Sequence, residues 1–146
     1  MFTVETKEFK TVLENAKRFM PKGNKSTLSI LQNILVDSLD EHCRITATDL
    51  DDCYEGLISR VGEVTPFTFG NISAMLKAIR FFDAKMTFDP NRSKASCISG
   101  NKKVDMVIID ADEFPPTPTL DDPKISLNIA EIIEKYKKIK HALSED

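Results

Sequence analysis

One supersecondary pattern, a short strand followed by an amphipathic helix and then three strands, occurs twice along this chain and starts a third time. Phe2-Thr3-Val4-Glu5 alternates as a half-buried strand, and directly after it Phe9, Val12, Leu13, Ala16 and Met20 recur at the spacing of one helical face. Pro66-Phe67-Thr68-Phe69-Gly70 opens the second copy, with Asn71 as the helix N-cap and Ile72, Met75, Leu76 and Ile79 as the stripe. A third start lies at Ile125-Ser126-Leu127. There Asn128 and Glu131 are spaced as a capping box, and Ile129, Ile132, Ile133, Tyr136, Ile139 and Leu143 form the apolar face. The starts are about 60 residues apart, a supersecondary period.

The segments between the helices read as strands. Residues 30–39 are a long apolar-rich run, Cys43-Arg44-Ile45-Thr46-Ala47-Thr48 alternates, and residues 54–61 make a third strand. After the second helix Ala84-Lys85-Met86-Thr87-Phe88 alternates, and Asp89-Pro90-Asn91 is expected to turn the chain. Ala95 and Cys97 carry the next strand to the hairpin dipeptide Gly100-Asn101, and Val104, Met106 and Ile108 then point inward. Two complete units thus fill residues 1 to about 112, an α+β arrangement. Phe114-Pro115-Pro116-Thr117-Pro118, with Pro123 close behind, reads as a stiff extended connection. The expected division is a first domain over residues 1–122, then residues 123–146 as the linker end and first strand and helix of a second. That third helix needs a surface to pack on: its own first domain, another chain, or the rest of a longer protein, which is the favoured reading.

Composition narrows the function classes. Twenty Lys+Arg against 23 Asp+Glu give a net charge of −3, which excludes a uniformly basic nucleic-acid binder but not a locally basic face. No apolar run approaches the roughly 20 residues of a membrane span, and the opening residues do not resemble a secretory leader. A cytoplasmic protein with no membrane partner is expected. Cys43, Cys53 and Cys97 read as reduced thiols, with no metal-binding pair. Asp49, Asp51, Asp52 and Glu55 are the one acidic cluster, and a metal-dependent hydrolase built on them is the weakest reading. They lack the spacing of a calcium loop, and neighbours along a strand face opposite ways. His42 and His141 are isolated, and alternation turns Cys97 inward. No catalytic residue, metal or cofactor is assigned.

The positive charge is unevenly placed. Residues 1–25 hold six Lys/Arg against three Glu, with Lys7, Lys10 and Lys17 roughly opposite the apolar stripe. Lys77 and Arg80 avoid the second stripe, and Lys135, Lys137 and Lys138 avoid the third. An ordinary solvated helix face accounts for this pattern, and so does a surface that meets phosphates.

Four stretches carry a family resemblance. Phe2-Thr3-Val4-Glu5, the segment from Ser26-Thr27-Leu28 to Asn33-Ile34-Leu35, Ile45-Thr46-Ala47-Thr48-Asp49-Leu50-Asp51, and Asp112-Glu113-Phe114-Pro115 resemble, in order and spacing, landmarks of the bacterial DNA polymerase III beta subunit, the sliding clamp. Ser29 stands where the family usually has Pro, and family members continue through a second and third domain. The resemblance implies two antiparallel sheets outside and two helices on one side, tethering replication proteins to double-stranded DNA without chemistry of its own. It implies DNA polymerase and clamp-loader subunits as partners, together with self-association. It puts Lys25, in the loop before Ser26, where the family has a DNA-contacting Arg, and adds Lys7, Lys10, Lys17, Lys77, Arg80 and Lys138 as phosphate contacts. It places Lys102, Lys103 and Val104 on the ring's subunit contact; a charged edge strand that resists aggregation is the plainer account. The alternative function is a clamp-like interaction module that does not encircle DNA.

Overall fold

The computed structural model, which describes residues 1–21, 28–117 and 129–139, builds both units in the expected order. The first comprises β1 (Phe2–Glu5), α1 (Thr6–Ala16), β2 (Ile34–Leu39), β3 (His42–Thr48) and β4 (Cys53–Gly62). The second comprises β5 (Phe67–Phe69), α2 (Ile72–Ile79), β6 (Lys85–Asn91), β7 (Lys94–Ser99) and β8 (Lys102–Ile109). A third helix, α3 (Ile129–Ile139), follows. Each unit pairs its strands in the order first, fourth, third, second, and β2–β5 and β6–β1 join the units.

The expected two antiparallel sheets are joined to each other. The eight strands close into one barrel, β1-β4-β3-β2-β5-β8-β7-β6, because β4 and β8 are each long enough to serve both halves. Along β4, residues 53–59 pair with β3 while Arg60, Val61 and Gly62 pair with β1. Along β8, residues 102–107 pair with β7 while Ile108 and Ile109 pair with β5. The sequence repeat is therefore also a repeat in pairing.

Alternation along the strands sends Val4, Ile34, Val36, Ile45, Ile58, Phe67 and Phe88 into the core. Phe9, Leu13 and Ala16 of α1 and Ile72, Met75 and Ile79 of α2 meet them there. Phe88 stacks on Phe2 with ring centroids 5.0 Å apart, lies 5.0 Å from Phe9 and reaches Phe67 at 6.4 Å. Gly56 lets α1 approach β4, since a Cβ there would overlap the Val12 methyl and the Tyr54 ring.

Local departures have local reasons. The apolar run at residues 30–39 starts as a 3-10 turn, Ser29–Gln32, and only then becomes β2; periodicity cannot separate the two in so short a run. Pro90 does not turn the chain. It stays in β6 opposite Ala95, beyond Phe88 where β6 has lost its β1 neighbour, a position proline accepts. The turn falls at Arg92, whose φ is 51°. Asn71 occupies the N-cap of α2 but caps with its backbone, in left-handed geometry, its carbonyl accepting from the amides of Ala74 and Met75. Asn128 and the expected third strand lie outside the described residues.

Burial pushes the Cys43 and Cys97 thiols up to about 12. At about pH 8, where a free thiol is partly ionised, Ellman's reagent should label both only as fast as the chain unfolds. All three thiols should react at once in denaturant. Rapid native labelling of Cys43 or Cys97 would show that the barrel core is open.

Candidate nucleic-acid interface

The two helices lie side by side and antiparallel. At one end the Thr6 hydroxyl donates to the Asp83 carbonyl at 2.6 Å and the Thr6 amide to the Ala84 carbonyl at 2.9 Å, tying the start of α1 to the chain leaving α2. At the other end Lys17 and Met20 share a cleft of about 400 Å³ with Asn71, Ile72 and Ser73 at the start of α2. The buried stripes turn toward the barrel, so the opposite faces form one solvent-facing surface. Residues 6–21 and 72–81 carry six basic side chains (Lys7, Lys10, Lys17, Arg18, Lys77 and Arg80) against two acidic ones, Glu8 and Glu14. That net +4, in a chain totalling −3, leaves −7 on everything else.

Most of the expected contact residues are brought together on this surface. Lys7, Lys17, Lys77 and Arg80 are exposed, while Lys10 is half-buried and faces Glu14 at 3.9 Å. Lys7 also lines a groove of about 560 Å³ with Thr11, Val12, His42, Leu57 and Ser59. Lys77 and Arg80 end α2, where cations complement the helix dipole, so they also stabilise the helix. Lys25 lies outside the described residues, as does the Lys138 side chain. Lys135 is bonded to Glu131 at 2.6 Å. Sequence reasoning did not single out Arg18 or Phe81, which is 71% exposed beside Arg80. The excess of Lys/Arg around α1 pointed to Arg18, whereas no periodicity signals which residue after a helix end stays outside.

Residues 102–107 of β8 bond to β7 on one side, and β5 reaches only as far as Ile108 and Ile109 on the other. That other side, which has no strand partner among the described residues, borders a groove of about 420 Å³ shared by Val104, Met106 and Val107 of β8 with Ala74 and Met75 of α2. Lys102 and Lys103 already have partners within the chain: Asp83 at 3.0 Å and Asp105 at 3.5 Å. Residues 53–59 of β4 are equivalently placed, paired to β3 on one side with β1 reaching only Arg60 to Gly62.

The acidic cluster does not converge. Asp49 accepts from the amides of Asp51 and Asp52 at 3.1 and 2.8 Å, closing its own turn, and Glu55 reaches Arg44 at 3.5 Å. No group of three or more His, Cys, Asp or Glu that could hold a metal occurs among the described residues. Among them, no helix is long and apolar enough to cross a membrane.

Residues 1–121 match the family model described as DNA polymerase III beta subunit, N-terminal domain. The chain belongs to that family. Its fold is similar to the Helicobacter pylori beta clamp bound to a DNA ligase peptide, at TM-score 0.81 and 22% identity, covering 100% of this chain and 41% of that one. It is also similar to the DNA polymerase III beta chain of Streptococcus pneumoniae, at TM-score 0.82 and 15% identity over 99% of this chain and 41% of that one. The Thermotoga maritima beta subunit gives TM-score 0.75 and 22% identity over 100% of this chain and 41% of its own. This chain thus spans about two fifths of these clamp chains, and no curated protein matches it in sequence.

Within this clamp domain the outer side of the β7–β8 hairpin is stitched by charge. Lys94 bonds Asp105 at 2.8 Å, and Ser96 donates to the same carboxylate at 2.6 Å. With Lys103 adding a weaker attraction, these hold the Asp105 carboxyl down at about 2, against an ordinary 3.8. A depressed carboxyl favours folding above its unfolded value and loses that contribution as pH falls through the folded one. Carboxyl NMR should find Asp105 titrating near 2, and Lys94→Ala should move it upward most, because Lys94 is the largest cause. Ordinary titration in the unaltered chain would contradict this geometry.

Proposed function

We propose that this chain supplies the first domain of a DNA sliding clamp, a non-catalytic element that tethers replication proteins to duplex DNA without reading its sequence. The observation that carries the reading is the segregation of charge, with a net +4 on the α1–α2 surface of an acidic chain. A contact that must slide cannot depend on base edges, which would trap it at one sequence; it needs exposed cations that meet phosphates anywhere. Lys7, Lys17, Lys77 and Arg80 supply them, half-buried Lys10 adds its charge, and Lys25 and Lys138 are proposed to join them.

The edges of β4 and β8, unpaired among the described residues, support a place in a larger ring, since an unpaired edge accepts a strand from a neighbouring domain. Lys102, Lys103 and Val104 would then lie at a subunit contact. Ile129, Ile132, Ile133 and Tyr136 of α3 are 46–69% exposed, which supports residues 123–146 as the start of a second domain whose remainder, or a second copy, covers them. DNA polymerase and clamp-loader subunits are the proposed partners of the assembled clamp, acting in the cytoplasm. The same edges favour the second reading, an interaction module that pairs with proteins and does not encircle DNA.

Fluorescence anisotropy with a mixed-sequence duplex separates the two. Weak binding at low salt should decline steeply as salt rises. Lys10→Ala and Lys17→Ala should each reduce the salt slope by about one, equally for unrelated sequences. Absence of duplex binding at low salt would leave the interaction module; preference for one sequence would contradict both the sliding contact and its residues.

A further inference from the structure

We infer that Phe81 is a stacking platform for an unpaired nucleobase at one end of the basic helix surface. The inference rests on the reading that this surface meets nucleic acid, and it adds a second ligand class to duplex phosphates.

The backbone just after α2 divides two adjacent aromatics. The Phe81 amide donates to the Ala78 carbonyl at 3.1 Å and the Phe82 amide to the Ile79 carbonyl at 3.0 Å, so both residues continue the last turn. Phe82 is half-buried against the core, whereas Phe81 stands 71% exposed. Its position is held, because the loop two residues on is bonded to Thr6 through the Asp83 and Ala84 carbonyls. Those bonds bring Phe81 to the end of the helix pair where α1 begins, the end that carries Lys7.

A single exposed apolar side chain is ordinary; the setting is what gives this one a partner. Lys77 and Arg80 flank it, exposed, and the nearest acid in sequence, Asp83, is bonded to Lys102 at 3.0 Å. An aromatic ring beside exposed cations matches a strand that offers phosphates and ring faces together. Duplex DNA offers phosphates and base edges but keeps its ring faces stacked. The matching ligand is therefore single-stranded, or the unpaired base beside the end of a duplex, with Lys77 and Arg80 on the flanking phosphates.

Anisotropy on the whole chain with three labelled probes of equal length tests this: a thymidine homopolymer, an abasic strand with the same phosphates, and a duplex. Phe81→Ala should weaken homopolymer binding roughly tenfold and leave the abasic strand and the duplex unchanged, while Phe81→Trp restores or exceeds the original affinity. Arg80→Ala should weaken all three. Equal effects of Phe81→Ala on all probes, or none on the homopolymer while the duplex still binds, would overturn the inference alone. No binding of any probe would overturn the proposed function with it. A changed oligomeric state in Phe81→Ala, with strand binding intact, would assign the ring to a protein contact and overturn the stacking role. High exposure predicts an unchanged melting curve for every Phe81 variant.

Discussion

Four phenylalanines meet where the two units join, and Phe88 is the one that touches the other three. Phe2 and Phe9 reach it from the first unit and Phe67 from the second, at 5.0, 5.0 and 6.4 Å. Offset and tilted rings at these separations attract beyond the area they bury, and truncating such a buried ring typically costs about 3–5 kcal/mol. Neither unit can cover its own apolar face. Closing the barrel around this cluster brings α1 and α2 together, antiparallel, with their polar faces turned the same way. The basic helix surface is a consequence of that closure.

The electrostatics of the surface suit a contact that must let go. Its cations are exposed or half-exposed, and the one internal ion pair, Lys10 with Glu14 at 3.9 Å, is of the exposed kind that contributes little. Attraction of this type is screened within about 10 Å at moderate salt, so under the proposed function it would hold a duplex nearby without fixing it in register. The outer strands show the opposite arrangement. Arg44 grips Asp37 with two bonds, at 2.9 and 2.6 Å, and reaches Glu55, so these three charges, one each on β2, β3 and β4, satisfy one another.

Much of this was legible in the residues. The recurrence of Phe9, Leu13 and Ala16, then Ile72, Met75 and Ile79, gave both helices, and strand alternation placed Ile45, Phe88 and Cys97 inward. Closure of the barrel was not legible, because it depends on how far β4 and β8 run past their first partners; no local pattern marks residues 60–62 or Ile108 and Ile109 as serving a different strand. Pro90 misled for a related reason, since its tolerance depends on a neighbour that β6 has by then lost. The basic character of the helix faces was visible, but the internal partners of Lys102 and Lys103 were not. Asp83 and Asp105 meet them only after folding.

Mapping the contact at residue level tests the central claim most directly. Amide chemical shifts of the labelled chain, followed while a mixed-sequence duplex is added at low salt, should move along α1, the turn after it and α2. The outer strands β3 and β7 should stay silent, and the map should be the same for an unrelated sequence. Shifts concentrated on β3 and β7, or maps that differ between sequences, would contradict a phosphate-reading helix surface.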